Sequence, residues 1–182
     1  GWCFEELGAT FRQADVVLVN LEAAVTTLGE FLDKQEKRPY YYRCRPEMLD
    51  VLVKAGINSV NIANNHAMDF GAEALDQELE ILDACGIAHC GGGRTSQEAA
   101  EPCYVTAGGL VVAFIGVHTD TEMAGATANQ PGINYVAEEH LLRSVAASVA
   151  MAKCHADLIV VTPHWGANWI ERPTEKRRAL AR

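Results

Sequence analysis

The sequence predicts an α/β fold in which a largely parallel sheet is flanked by helices, and three features carry that reading. From Asp15 onward, short β-branched runs alternate with helical stretches, the signature of βαβ units. The helical stretches repeat their apolar residues at one-turn spacing, so each buries a single face. Three of the β-branched runs end in polar, chemistry-bearing groups: Asn20-Leu21-Glu22, Asn64-Asn65-His66 and Pro163-His164-Trp165-Gly166. Open α/β sheets collect ligands beyond the carboxyl ends of their strands, where loop residues are held by a rigid scaffold.

Taken in order, Val16-Val17-Leu18-Val19 is the first strand. Residues 26 to 45 are polar and aromatic, centred on Lys34-Gln35-Glu36-Lys37-Arg38-Pro39. A loop of that length is functional or disordered in a compact domain, and Tyr40-Tyr41-Tyr42 offers aromatic surface to pack over a site or a partner. Pro46 opens a helix, where its fixed φ and missing donor are tolerated; Met48, Leu52 and Ala55 follow at helical spacing and Gly56 ends it. A strand over 58–63 follows. Gly71 begins a second helix with Leu75, Leu79 and Leu82 on one face and Gly86 after its last turn, and both helices can cover one face of the sheet. Thr95 and Glu98, just after Gly91-Gly92-Gly93-Arg94, have capping-box spacing for a short helix. Cys103 to Thr106 and Leu110 to Val117, joined at Ala107-Gly108-Gly109, read as a hairpin. Leu142, Val145, Val149 and Ala152 mark a third helix, with Glu138 and Glu139 at its positive end and Lys153 at its negative end. The Leu158 to Thr162 strand comes next. There is no internal repeat.

With 182 residues and 49% hydrophobic content, the chain makes one domain, 1–182, and is too short for two. Twenty-four acidic against 15 basic residues give a net charge of −9. That balance argues against nucleic acid as a partner, because phosphate-backbone binders concentrate Lys and Arg. Lys176-Arg177-Arg178 with Arg182 lies beside Glu171 and Glu175 and reads as a solvated helix face. No apolar run approaches the ~20 residues of a membrane span, and Gly1-Trp2-Cys3-Phe4-Glu5-Glu6 is not a signal peptide. The chain lacks an initiator Met, and both its ends fall inside helical patterns, so further residues are expected on either side. Any signal or anchor would lie upstream. The six cysteines have no paired zinc spacing. Cys85 and Cys90 are the nearest pair, but a chain of this size needs no staple, and reduced thiols favour an interior compartment.

Asn and His are both competent ligands for a borderline divalent cation. In an extended turn, the side chains of Asn64-Asn65-His66 diverge, so one can bind metal while another faces substrate as proton donor. A helix start, with Asn64 or Asn65 as N-cap and His66 merely satisfied, explains the motif equally well. Glu22 can hold or bridge cations, or be a first-turn helix residue. His164 is a further ligand candidate beside the permissive Gly166. Asp69 can fix the His66 tautomer or cap the next helix. Coincidence shifts the balance: carboxylate, amide and imidazole at three strand ends are the ligand set of a metal-assisted hydrolase. The glycine run at 91–93 could cradle an anion, but lacks the Lys and spacing of a P-loop. Of the other histidines, only His118 with Asp120 merits a test.

Together, the stretches Asp15 to Thr26, Pro46 to Gly71, Gly91 to Pro102 and Asp157 to Trp169 resemble the CapA family of poly-γ-glutamate capsule biosynthesis proteins. The combination of Asn-Leu-Glu, Asn-Asn-His-x-x-Asp-x-Gly and His-Trp-Gly in this order carries the resemblance. It implies a calcineurin-like metallophosphatase sandwich, here incomplete. The Gly-Asp motif of the first strand would precede Gly1, and a Gly-His-x-His-type motif would follow Arg182. By the same resemblance Asn65 is a metal ligand and His66 the transition-state histidine, with Asn64 standing where Gly is usual. Glu22 matches the metal-bridging carboxylate and His164 a further ligand. The implied cofactor is one or two divalent ions (Mn, Fe or Zn), possibly dinuclear only in the full-length protein. The implied substrate is a phosphoester or a capsule-polymer compound, with other capsule synthesis proteins as partners and the cell envelope as the setting. The alternative is a non-catalytic scaffold or envelope component whose 26–45 loop contacts a synthase.

Overall fold

Residues 4–35, 39–166 and 170–181 are described by a computed structural model of the chain. Cys3, the 36–38 centre of the polar loop, Trp169 and Arg182 therefore lie outside the described residues. In chain order the elements are α1 (Glu5–Phe11), β1 (Leu18–Asn20), β2 (Ala24–Val25), β3 (Arg43–Cys44), a 3-10 turn (Pro46–Met48) running into α2 (Leu49–Ala55), β4 (Ser59–Asn61) and α3 (Gly71–Ala84). There follow β5 (Ala88–Cys90), β6 (Gly92–Gly93), α4 (Ser96–Ala100), β7 (Cys103–Ala107), β8 (Leu110–His118), a 3-10 turn (Glu122–Ala124), β9 (Gly132–Ile133), a 3-10 turn (Glu138–His140) running into α5 (Leu141–Ala152), β10 (Leu158–His164) and α6 (Glu175–Leu180).

The expected largely parallel sheet is divided into two three-stranded sheets, beside the small pairs β2-β3, parallel, and β6-β9, antiparallel. One is all parallel, in the order β1-β4-β5; the other has the order β10-β8-β7, with β10 parallel and β7 antiparallel to β8. Alternation along the strands explains the split. Val112 and Phe114 of β8 and Val160 of β10 turn inward onto Cys90, Leu18 and Val16 of the first sheet. The intervening Ala113, Ile115, Ile159 and Val161 turn outward onto Ala152 and Val149 of α5. On the opposite side, Val17, Val60 and Ile62 pack under Leu75, Leu79 and Leu82 of α3 and Leu49 and Ala55 of α2. The result is four layers: helices, sheet, sheet, helix. Each of the three α3 leucines is fully buried, worth about 1.5–3 kcal/mol apiece.

Local signals act as the residue types dictate. The hairpin closes through Gly108 and Gly109, both at positive φ, between paired Ala107 and Leu110. Thr95 caps α4 by accepting from the Glu98 N–H, while the Glu98 carboxylate accepts from the Arg94 N–H. The glycine run has a packing role. A Cβ on Gly91 would sit 2.5 Å from Ala63 Cβ, one on Gly92 2.6 Å from Ile62 Cδ1, and one on Gly93 2.4 Å from Ala99 N, so these residues are small because strands and α4 pack directly on them. The C-terminal basic cluster is not simply a solvated face. Arg178 pairs with Glu175, but Arg177, only 14% exposed, reaches Glu138 at 3.0 Å and Asp120 at 3.3 Å, fastening α6 to the body. Cys85 is exposed, whereas Cys90 is buried against Cys103; the five described cysteines are free thiols. Among the described residues no helix is long and apolar enough to cross a membrane.

Candidate functional site at the strand ends

Parallel pairing of β1 with β4 sets Asn20 level with Asn61, so the chain leaves both strands at the same edge. Pairing of β10 with β8 sets His164 level with His118 at an edge of the second sheet. The turn following β4 then brings the two edges together: the amide of Asn65 lies with Oδ1 3.0 Å from His164 Nε2, across 99 residues of sequence.

The two asparagines divide their tasks. Asn64 is fully buried, and its Oδ1 accepts from the backbone N–H of His66 and of Ala67, both at 3.0 Å, capping the 65–70 turn. Its Nδ2 donates to the Leu21 carbonyl at 2.9 Å and to Asn20 Oδ1 at 3.2 Å. Asn20 Nδ2 in turn donates to Glu22 Oε2 at 2.8 Å. Glu22 is thus oriented through two amides, with its other oxygen 4.0 Å from His66 Nε2. The cap reading therefore applies to Asn64 and leaves Asn65 turned toward His164 of the opposing strand end and His66 Nε2 toward Glu22.

His66 is held on its other side. Asp69, fully buried, accepts at Oδ2 from His66 Nδ1–H at 2.8 Å and from the Tyr42 N–H at 2.6 Å. It does not cap α3, whose N-cap residue is Phe70 without a side-chain bond. Its remaining oxygen forms an ion pair with Lys34. The Tyr42 ring stacks on the imidazole at 3.9 Å and 20°. Lys34 and Tyr42 both belong to the 26–45 loop, on either side of its undescribed centre, and both lie against the site. The base of the loop is pinned where Tyr41 and Phe31 pack on Phe70 and the Arg43 guanidinium lies 3.6 Å over the Phe70 ring.

His118 and Asp120 do not work as a pair. His118 donates from Nδ1 to the His164 carbonyl at 2.8 Å and accepts at Nε2 from the Thr121 hydroxyl at 3.0 Å. Burial pulls its pKa below the ordinary value, only partly offset by the His164 carbonyl and by the charges of Asp120 and Glu22. It is a neutral ring that fixes the end of β10. Asp120 instead accepts from the Gly166 N–H at 2.7 Å and meets Arg177.

Sequence reasoning gave Lys34 no role; it offered Tyr42 only within an aromatic run able to pack over a site, which the stack on His66 bears out, and Asn20 only within Asn-Leu-Glu. Asn20 was visible inside Asn-Leu-Glu, since an amide two residues before a carboxylate can orient it. Lys34 carries no local signal at all. Among the described residues, no three carboxylate, imidazole or thiol groups form a cluster able to hold a metal.

The sequence matches the family model described as bacterial capsule synthesis protein over residues 1–182. It is 26% identical over 183 residues to the capsule biosynthesis protein CapA of Bacillus anthracis, covering all of this chain and 44% of that protein. Against the PGA biosynthesis protein CapA of Bacillus subtilis (strain 168) it is 30% identical over 182 residues, 98% of this chain and 46% of the relative. Against a Mycobacterium tuberculosis protein named "Probable polyglutamine synthesis accessory protein" it is 31% identical over 163 residues, 85% of this chain and 42% of the relative. The chain thus spans less than half the length of these relatives. With a family match from end to end, and the strand-end residues gathered as described, the chain belongs to the bacterial capsule synthesis family that includes CapA.

Proposed function

We propose that this chain carries part of a metal-dependent, phosphoesterase-like hydrolytic site, on a calcineurin-like metallophosphatase sandwich, in a CapA-type protein of capsule or poly-γ-glutamate biosynthesis at the cell envelope. The supporting observation is the 3.0 Å approach of Asn65 Oδ1 to His164 Nε2. Donors with metal bonds of about 2.1 Å and a right angle between them lie about 3 Å apart, so the pair has the spacing of neighbouring ligands. Asn65 and His164, with Glu22, would hold a divalent Mn, Fe or Zn ion. When bound, the ion would polarise a phosphoryl oxygen and acidify a water molecule. The chain's own residues supply the rest. Asp69 holds the His66 ring by Nδ1–H, which leaves Nε2 facing the substrate; the imidazolium form of the ring would carry a second proton there to pass to the leaving-group oxygen. Tyr42 covers one ring face and keeps water from it.

The test uses the protein expressed from its complete reading frame. Stoichiometric Mn, Fe or Zn that is lost in a Glu22→Ala/His164→Ala double variant supports the site, as does Mn²⁺-dependent phosphodiester hydrolysis that falls at least a hundredfold in His66→Ala. A hydrolysis rate unaltered in His66→Ala removes that residue from the mechanism. A second reading, a non-catalytic scaffold that contacts a synthase, draws on Phe31 and Tyr40, which leave 66% and 70% of their surface exposed on the 26–45 loop. A fully folded, metal-free protein would favour it.

A further inference from the structure

The geometry points to Lys34 as a positioning residue for His66, which ties the described flanks of the 26–45 loop, Lys34 on one side and Tyr42 on the other, to the ring. The Lys34 side chain is only 8% exposed. A charge so placed costs several kcal/mol unless it is compensated, and Lys34 is compensated entirely by groups around His66. It pairs with Asp69 Oδ1, donates to the Tyr40 carbonyl at 2.8 Å and to the Asn65 carbonyl at 3.4 Å, and lies 5.1 Å from the Tyr41 ring centroid.

Its nitrogen is also 3.4 Å from His66 Nδ1. That atom already donates its hydrogen to Asp69, so two donors face each other there and the ammonium is directed to the oxygens instead. Lys34 approaches the ring from the Nδ1 side, whereas Nε2 faces Glu22. It therefore lies behind the imidazole and does not touch a substrate placed before Nε2. Its effect is exerted through Asp69. With Oδ1 held by the ammonium, Oδ2 is left aimed at both the His66 Nδ1–H and the Tyr42 N–H, so one ion pair locks the ring and seats the loop whose tyrosine covers it. The contact to the Asn65 carbonyl ties the same loop to the backbone of the residue beside His66.

The inference rests on the hydrolytic reading only for its rate measurement, and the test separates the two. Solvent exchange of the His66 Nδ1 hydrogen is followed by ¹⁵N-edited NMR at a pH where the ring is neutral, in the parent and in Lys34→Met and Lys34→Arg. Mn²⁺ affinity and Mn²⁺-dependent phosphodiester kinetics are measured alongside. Lys34→Met is expected to speed exchange at least tenfold and to lower kcat about tenfold, with KM and Mn²⁺ affinity within twofold. Lys34→Arg, whose guanidinium can reach the same oxygens, is expected to restore both. Exchange in Lys34→Met equal to that of the parent overturns the proposal, whatever the rate. So does Lys34→Arg behaving like Lys34→Met, because charge would not be the agent. Faster exchange with an unchanged rate upholds Lys34 and overturns the hydrolytic role of His66. Lys34→Gln keeps the test open should Lys34→Met not fold.

Discussion

Raising the pH should weaken this fold through one carboxyl group, Glu78. It lies on α3 among Leu75, Leu79 and Leu82, is fully buried, and neither of its oxygens has a hydrogen-bond partner of good geometry. Burial pushes its pKa from an ordinary 4.5 up to about 8, and the Val25 backbone offsets only part of the rise. The folded state therefore holds a proton that the unfolded chain releases above about pH 4.5. In that window the unfolded state binds fewer protons, so stability falls as pH rises. The contribution is complete below the unfolded pKa and lost through the folded one. At about 1.4 kcal/mol per tenfold difference in proton affinity, the loss is on the order of 4–5 kcal/mol once Glu78 is ionised, a large share of the roughly 5–15 kcal/mol that holds a typical domain together. The consequence reaches the site. The neighbouring Gln77 Oε1 accepts from the Thr26 hydroxyl at 2.6 Å and from the Thr27 N–H at 2.8 Å, where the 26–45 loop begins. Urea unfolding at pH 5, 7 and 9 should show the parent losing stability steadily while Glu78→Gln, of the same shape and without a proton to lose, loses several kcal/mol less over the same interval. Parallel pH profiles for the two proteins would refute the reasoning.

Further outcomes follow from other contacts. Asn64→Gly, which introduces the glycine usual in metallophosphatases, removes the cap on the 65–70 turn and both donors to the β1 end. It should cost about 1–3 kcal/mol in urea unfolding, and unchanged stability would show that this amide holds nothing. Gly91→Ala places a Cβ 2.5 Å from Ala63 Cβ on a residue at φ +84°. A loss of about 2–4 kcal/mol is expected from overpacking and backbone strain, read as a fall in thermal midpoint. A thiol reagent should modify the exposed Cys85 and Cys154 within minutes and Cys90 only on unfolding, as followed by mass spectrometry.

What the sequence by itself determined is the set of local patterns. Short β-branched runs marked the strands, one-turn spacing marked the buried face of α3 but placed Leu142, which is exposed, on that of α5, Gly108-Gly109 marked a hairpin, and polar endings marked Glu22, Asn65, His66 and His164 as residues of strand ends. All of these depend on neighbours within a few positions, and the family resemblance rests on the same short stretches. Only the tertiary structure decided that the longer strands divide into two separate three-stranded sheets, because an apolar run tells that a strand is buried and not what buries it. It also decided that Arg177 would leave its solvated helix for Asp120 and Glu138, and that glycines 91–93 serve packing. It decided above all that Lys34 and Tyr42 close over His66 and that Asn65 meets His164. The second contact joins residues 99 apart. An ion pair and a ring stack gain free energy only after distant segments have already been brought together, so no short window of sequence can announce them.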